Sequence, residues 1–204
     1  DEFVRAAKST STSGYGAAGT YFLLQSLQAK LSYEKVFRLP TNNEMFGDED
    51  LETGDIAIKP ENSDNLNFNL SFDKSFGQHA VYLEGGLIYR DIKNYIQRNI
   101  TGLSGGRYGA AYINHGKVLI KGYTLTARYN LSDILSIGGN FTEINIRDNV
   151  KTMLTGAPSN TYKARMPNVP YLFANGDIAF YQHNLGAKGN SLTLSYDNFF
   201  VKRF

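Results

Sequence analysis

The sequence predicts an all-β fold, an antiparallel transmembrane β-barrel of which about eight strands are visible. Apolar and polar residues alternate strictly over long segments, as where Leu27, Ala29, Leu31 and Tyr33 are separated by polar or charged residues. Strict alternation is typical of a strand whose two faces meet different surroundings. The strands are also long, about ten residues or more against about five or six in ordinary sheets. Finally, the connections between them alternate between short and long.

Eight strands are expected at approximately 14–24, 27–38, 64–74, 79–92, 123–130, 135–142, 172–180 and 191–197. Three long polar or glycine-rich connections are expected at 39–63, 93–116 and 148–170, and the other connections are short. The sequence contains no convincing segment with the period of an amphipathic helix. Short turns at one end and long loops at the other are typical of a membrane-spanning barrel.

A membrane explains the length of the strands and their closed pairing. Lipid offers the backbone no hydrogen-bonding partner, so a spanning sheet has to satisfy its own N–H and C=O groups. The alternative is a soluble antiparallel sandwich, in which the apolar face turns inward. Strand length, the alternating connections and the neutral amides and hydroxyls on the polar faces favour the barrel.

Composition excludes several functions. The 204 residues include no cysteine, which rules out disulfides, thiolate metal sites and a catalytic thiol. A formal net charge of +2 gives no sign of nucleic-acid binding. No apolar run is long enough for a transmembrane helix. No nucleophile, phosphate-loop or zinc-binding motif is present, so we expect neither an enzyme nor a bound cofactor.

Short motifs carry a closer resemblance. Arg38-Leu39-Pro40-Thr41 is followed by Glu44-Met45-Phe46-Gly47-Asp48, and Lys59-Pro60-Glu61-Asn62-Ser63 opens the next strand. At this spacing the elements resemble TonB-dependent outer-membrane receptors, especially those of the Bacteroidetes type. Three later segments also resemble elements of that family, namely Tyr89-Arg90-Asp91-Ile92-Lys93, the stretch from Asn114 to Gly122, and Arg165-Met166-Pro167-Asn168-Val169-Pro170. The resemblance covers the chain from about residue 14 onward.

The resemblance implies a receptor barrel of about 22 strands that encloses an N-terminal plug. In this interpretation residues 1–204 are one segment from the late portion of the barrel, without the plug domain, the TonB box or the final strands. The alternative is a small, complete eight-stranded outer-membrane barrel with a structural or adhesive role.

The function implied by the resemblance is import of a scarce nutrient, namely a ferric siderophore, haem, cobalamin, a glycan or a peptide. Energy would come from the inner-membrane TonB complex, reached through the absent N-terminal part. Outer-membrane lipid, the nutrient ligand and a surface lipoprotein are the other implied partners. The expected location is the outer membrane of a Gram-negative cell, crossed several times by the chain.

The first long loop is acidic and is a candidate metal site. Its carboxylates are Glu44, Asp48, Glu49, Asp50, Glu52 and Asp55. Of these, Asp48, Asp50 and Glu52 are the candidate ligands, because Ca²⁺ prefers carboxylate oxygens. Their spacing is not that of an EF-hand, and an ordinary solvated loop is the alternative.

The second long loop holds the candidate ligand-binding residues, which are Arg98, Arg107, Tyr108 and Tyr112. Cations attract an anionic cargo, and tyrosine rings stack on one. The other residues considered are the cations Arg90, Lys93, Lys117 and Lys121, the tyrosines Tyr162 and Tyr171, and the histidines His79, His115 and His183. Alternatives for the cations are binding of lipid phosphates and ordinary loop charge, and the alternative for the tyrosines is membrane-interface packing. His115 is the histidine for which a contact with haem is considered, because it lies near an outer loop.

Overall fold

The computed structural model of the chain describes residues 9–48, 50–102, 104–153, 155–167 and 169–202. Its strands are β1 (Tyr15–Leu24), β2 (Leu27–Arg38), β3 (Glu52–Thr53), β4 (Glu61–Phe76), β5 (His79–Gly102), β6 (Tyr108–Leu131), β7 (Leu135–Asp148), β8 (Leu172–His183) and β9 (Ser191–Val201). A five-residue helix, α1 (Asn42–Phe46), lies between β2 and β3. No helix in the described ranges is long and apolar enough to cross a membrane.

The eight long strands form one antiparallel sheet in the order β1-β2-β4-β5-β6-β7-β8-β9. Each long strand therefore pairs with the next long strand along the chain. This confirms the all-β fold class and the eight strands that the alternation predicts. The two-residue strand β3 is an addition to them, and it pairs in parallel with Ala110 and Ala111 of β6.

The prediction of a long loop at 93–116 is wrong. β5 and β6 have 24 residues each and stay paired up to Gly102 and Tyr108, so only residues 103–107 connect them. The register shifts on either side of Tyr95, where Asn94 has φ 56° and the opposing Gly116 has φ 112°. Such a bulge bends a strand pair without ending it. Some of the glycines that suggested a loop therefore lie in the strands of a bent hairpin, among them Gly102, Gly109 and Gly116.

One face of the sheet is apolar and exposed. The register places Leu31, Phe68, Leu87 and Tyr123 side by side across four strands. Leu31 is 52% exposed and Leu87 59%. Exposed apolar surface of this extent is unusual for a soluble monomer and is expected of a lipid-facing sheet.

The opposite face is polar, and its side chains bond to one another. Arg128 of β6 donates two hydrogen bonds to Asp177 of β8, at 3.0 and 2.9 Å, and a third to Ser136 at 3.1 Å. Gly138 of β7 lies beneath this contact, and a Cβ atom there would lie 2.6 Å from Nη2 of Arg128. Glycine thus leaves the space that allows Arg128 to reach across β7.

Tyrosines mark the end of the apolar face toward the long connections. Tyr33 and Tyr89 share one cross-strand row, and Tyr123 lies in the adjacent row of the same face; we call the three the tyrosine row. The hydroxyl of Tyr33 donates to Asp64 at 2.7 Å, and Nζ of Lys121 lies 5.7 Å from the ring centroid of Tyr89. An apolar ring with a polar tip suits the boundary between lipid and water. The strands beyond this row therefore project out of the apolar layer.

The buried core lies beyond the tyrosine row. The buried apolar side chains of the described residues are Ile58, Ile92, Ile96, Ala110, Val118 and Met166. Ile92, Ile96, Ala110 and Val118 belong to the projecting parts of β5 and β6. Ile58 belongs to the loop bonded to that hairpin, and Met166 bonds to Ile146 of β7. Hydrophobic burial therefore folds the projecting region, whereas the apolar rows of the sheet have no protein core of their own.

The sheet does not close into a barrel. β1 and β9 are its two edges, and no pairing joins them within the described residues. A complete eight-stranded barrel pairs its first strand with its last, so this structure does not support that alternative. Open edges leave backbone groups unpaired, which lipid cannot satisfy.

Substitution at the middle of the apolar face tests its orientation. Leu125 is 53% exposed and lies in the row of Leu70 and Phe141, about midway along the spanning part. In the full-length protein we expect Leu125→Arg to cost about 2–4 kcal/mol of folding free energy in lipid vesicles. Thr126→Arg is the matched control, because Thr126 lies on the polar face opposite Glu84. A larger loss for Thr126→Arg than for Leu125→Arg would reverse the assignment of the faces.

Candidate functional site

The candidate site lies where the projecting hairpin, residues 93–117, meets the acidic loop, residues 39–60. The hairpin continues the β5–β6 ladder past the tyrosine row, so it holds a fixed position above the sheet. The loop leaves β2, forms α1 and β3, and returns to β4. Parallel pairing of Glu52 and Thr53 with β6, and a hydrogen bond from Ala110 N–H to the Leu51 carbonyl at 2.8 Å, attach the loop to the hairpin.

Arg38 joins both ends of the acidic loop. Its Nε and Nη2 atoms donate to the two carboxylate oxygens of Glu61 at 2.9 and 3.0 Å, and its Nη1 donates to Glu44 at 3.0 Å. The planar guanidinium suits such a two-point contact with a carboxylate. Glu61 also accepts the N–H of Ile96 at 2.7 Å, which ties the loop's return to the hairpin. The Arg-Leu-Pro, Glu and Lys-Pro-Glu motifs of the sequence therefore meet at one ion cluster.

Glu44 connects this cluster to the start of α1. It is only 9% exposed, and its carboxylate accepts the N–H of Thr41 at 2.8 Å while the Thr41 hydroxyl accepts the N–H of Glu44 at 3.3 Å. This reciprocal pair is a capping box, which satisfies backbone donors that a helix start leaves free. A helix of five residues has little stability of its own, so the cap and Arg38 hold it in place.

The carboxylates predicted as metal ligands bond to the protein itself. Asp48 accepts backbone N–H groups of Asp50 at 3.0 Å, Leu51 at 2.7 Å and Glu52 at 2.7 Å. These bonds hold the pKa of the exposed Asp48 carboxyl below its usual value, because they favour the charged form. Within the described residues no group of three or more His, Asp or Glu side chains is arranged to hold a metal ion.

Glu52 is the centre of a second cluster. Its two carboxylate oxygens accept hydrogen bonds from Nε of Arg98 at 2.9 Å and from the hydroxyl of Tyr112 at 3.0 Å. The bond to Glu52 raises the pKa of Arg98. Burial first, and the bond to Glu52 second, raise the pKa of Tyr112. Two of the four predicted ligand-binding residues are thus partners of a predicted metal ligand.

The other two ligand-binding candidates are freer. Arg107 lies 3.4 Å from Asp50, and both side chains are largely exposed at 65% and 73%. Such a pair contributes little, because water screens it. Tyr108 is 76% exposed and shows no side-chain hydrogen bond or ring contact among the described residues. Arg107 and Tyr108 are therefore available at the tip of the projecting hairpin.

The bulge of the hairpin holds the end of the acidic loop. Asn114 accepts the N–H of Lys59 at 2.8 Å, and its amide donates to the carbonyls of Lys59 at 3.0 Å and Asn94 at 2.8 Å. The Asn114 side chain thus satisfies both the N–H and the C=O of Lys59, as a neighbouring strand would. Nothing in the sequence spacing, 55 residues, indicated this contact.

A cavity of about 640 Å³ lies between the bulge and the loop at 149–163. On its wall Nε2 of His115 lies 3.1 Å from Asp148, which is 3% exposed. Asp148 also accepts the Thr161 hydroxyl at 2.5 Å and the N–H of Val150 at 2.7 Å. His115 thus lines a cavity, and its contact with a ligand such as haem stays a prediction.

The remaining sequence candidates are dispersed. His79 bonds the hydroxyl of Tyr129 at 2.7 Å, and His183 lies 3.4 Å from Asp133, both at the short-turn end of the sheet. Among the tyrosines, Tyr162 lies under Lys163 and Tyr171 under Arg165 and Lys202. Arg90 lies on the polar face beside Asn65 and Ile120, and Glu49 lies outside the described residues.

A family model described as "TonB dependent receptor-like, beta-barrel" matches residues 4–201. The chain belongs to this receptor family. Members of the family are transporters and not enzymes, which confirms the expectation from the absence of catalytic motifs. Their barrels lie in the outer membrane of Gram-negative bacteria. The match concerns the family as a whole, so the closer resemblance to the Bacteroidetes type stays a prediction.

Two solved structures show the same fold at low identity. A structure titled "Copper transporter OprC" matches with a TM-score of 0.60 and 16% identity, over 81% of this chain and 23% of that one. The siderophore receptor PirA from Acinetobacter baumannii matches with a TM-score of 0.55 and 15% identity, over 91% of this chain and 33% of that one. The chain thus spans about a quarter to a third of the length of those chains. No curated protein sequence matches it.

Removing Arg38 is expected to release the acidic loop of the receptor. Arg38→Gln leaves Glu44 and Glu61 without their shared cation, at a cost of about 1–3 kcal/mol because the cluster is only partly buried. We expect proteolysis within the loop of the full-length receptor to become roughly tenfold faster. Lys35→Gln is the control, since it removes a cation from the same strand but outside the loop. Equal cleavage rates in the two variants would contradict the role of Arg38.

Acid is expected to loosen the turn held by Asp48. The folded-state pKa of this carboxyl lies below the unfolded value, so its stabilisation is present above the unfolded pKa and disappears as pH falls through the folded pKa. The backbone amides of Asp50, Leu51 and Glu52 should therefore become better protected from hydrogen exchange as pH rises from about 2 to 5. Protection is measured relative to the intrinsic exchange rate of an unstructured chain at each pH. In Asp48→Asn this gain should vanish; if it persists, another carboxyl controls the turn.

Proposed function

We propose that the chain forms part of the barrel wall of a TonB-dependent outer-membrane transporter, which binds a scarce nutrient outside the cell and passes it inward. The family match over residues 4–201 is the observation that carries the proposal. The exposed apolar face and the open edges of the sheet support it, because both need lipid and further strands around them. In this proposal the long connections face outward and the short turns face the periplasm.

The plug, the TonB box and the remaining strands belong, in this proposal, to other parts of the full-length protein. Energy for transport comes from the inner-membrane TonB complex through those parts, and no bond is made or broken in the cargo. Candidate cargoes are a ferric siderophore, haem, cobalamin, a glycan or a peptide. The two similar structures are titled as a copper transporter and a siderophore receptor, which favours a metal chelate among these cargoes.

The four ligand-binding candidates divide into two roles. Arg107 and Tyr108, exposed at the hairpin tip, contact the cargo. Arg98 and Tyr112, bonded to Glu52, position the acidic loop beside that tip. Asp48 and Glu52 stabilise the loop through their hydrogen bonds. A role of Asp48, Asp50 and Glu52 as Ca²⁺ ligands stays a prediction. A surface lipoprotein is a further proposed partner at this face.

Deletion of the full-length gene tests the transport function. We expect growth to fail when one nutrient (iron, haem, cobalamin, a glycan or a peptide) is supplied only at scarce levels, because diffusion cannot replace energised uptake. Complementation with the intact gene should restore growth. Normal growth of the deletion strain on every one of these nutrients would overturn the proposal.

Variants of the hairpin tip then separate the two roles. With the cargo identified by growth, we expect Tyr108→Ala to raise its Kd by about tenfold, as for loss of an exposed aromatic contact residue. Glu52→Gln should instead speed proteolysis of the acidic loop and change the Kd less. The assignment is wrong if Glu52→Gln weakens binding while Tyr108→Ala does not.

A further inference from the structure

Two pairs of like charges face each other across strands just beyond the tyrosine row. Lys93 of β5 lies directly opposite Lys117 of β6. Arg147 of β7 lies opposite Arg165 in an isolated bridge. Like charges directly opposite one another destabilise a sheet unless something compensates them.

The register puts both pairs on the apolar face of the sheet. Lys93 lies four residues beyond Tyr89 on the same strand, with regular pairing between them. Arg147 pairs with Leu119, which is two residues from Lys117 and therefore on its face. Residues of the other face in this zone, such as Val118, are buried. Lys121, over the ring of Tyr89, joins the same surface.

We call Lys93, Lys117, Lys121, Arg147 and Arg165 the cationic patch. Within the part of the chain that the structure describes, no carboxylate lies at salt-bridge distance from any of them. Four of the five are exposed, and the half-buried Arg147 donates to the Lys163 carbonyl at 2.6 Å. The charges of the patch are therefore not neutralised inside the protein.

The acidic groups on this face offset the patch only in part, since Lys93 acts on Asp64 through space without a salt bridge. Asp64 is occupied by Lys35 at 2.9 Å and by the hydroxyl of Tyr33. Glu143 accepts the hydroxyl of Tyr123 at 2.8 Å. Asp91 lies on the same face between β4 and β6, and among the described residues it forms no salt bridge with a patch cation. An external anion is the partner that these cations lack.

We infer that the cationic patch binds phosphate groups of an anionic glycolipid in the outer leaflet. The position selects this partner, since the patch stands on the lipid-facing side at the height where headgroups begin. Lysine and arginine side chains snorkel from apolar surface to such headgroups, and arginine binds phosphate at two points. The inference depends on the outer-membrane placement proposed above, but not on which cargo is transported.

The test uses the full-length receptor, purified in mild detergent and titrated with a phosphorylated glycolipid of the lipid A type. Lys93→Gln/Lys117→Gln and Arg147→Gln/Arg165→Gln each remove one like-charge pair. We expect each double variant to bind the glycolipid about 25-fold more weakly, at about fivefold per cation. Lys74→Gln/Lys188→Gln is the matched control, because it removes the same charge at the short-turn end.

Two further arms identify the anion. The enzymatically dephosphorylated glycolipid should bind the unmodified receptor as weakly as the phosphorylated form binds the double variants. Arg147→Lys/Arg165→Lys keeps the charge and should keep most of the affinity, so a failure to fold is separated from a loss of charge. Heat-modifiable migration on gels checks folding in each variant.

Glycolipid binding that matches the control in both double variants would overturn the inference. So would equal binding of the phosphorylated and dephosphorylated forms. Competition by inorganic phosphate as strong as that by the glycolipid would overturn the lipid as partner and leave an ordinary anion site. None of these readouts measures uptake, so a failure of the lipid site and a failure of the transport proposal are separate results.

Discussion

The whole structure depends on an uninterrupted ladder of backbone hydrogen bonds between long neighbouring strands. In lipid no water replaces a missing bond, so every spanning residue needs a partner strand. The ladder also fixes which face each side chain takes, since successive residues point to opposite sides. One register therefore decides that Leu87 lies on the apolar face and Asn69 on the polar face. The same ladder, continued past the tyrosine row, produces the projecting hairpin.

Charge pairing then folds the connections onto that hairpin. Arg38 holds both ends of the acidic loop through Glu44 and Glu61, and Glu52 binds the loop to Arg98 and Tyr112. The loop has few apolar residues, so ion pairs and backbone bonds position it while Ile58 supplies a buried anchor. A loop held in this way keeps Arg107 and Tyr108 exposed at the tip beside it.

Two groups of cations stand out among the described residues. Arg38, Arg98 and Arg128 each have a carboxylate partner within the chain. The cationic patch above the tyrosine row has none among the described residues. Internal pairs stabilise the protein by themselves, whereas unpaired cations at a membrane boundary act on what lies outside it.

The sequence by itself determined the long strands of the sheet and their faces, because period-two alternation records which side of each strand is apolar. The family motifs around Arg38 and Glu61 were also visible there. Only the tertiary structure showed that residues 93–116 form a bent hairpin, since glycine suits a bulge as well as a loop. It alone brought Glu52 to Arg98, 46 residues away, and turned two separate predicted sites into one. Contacts between distant segments arise from strand pairing across space, which no local pattern encodes.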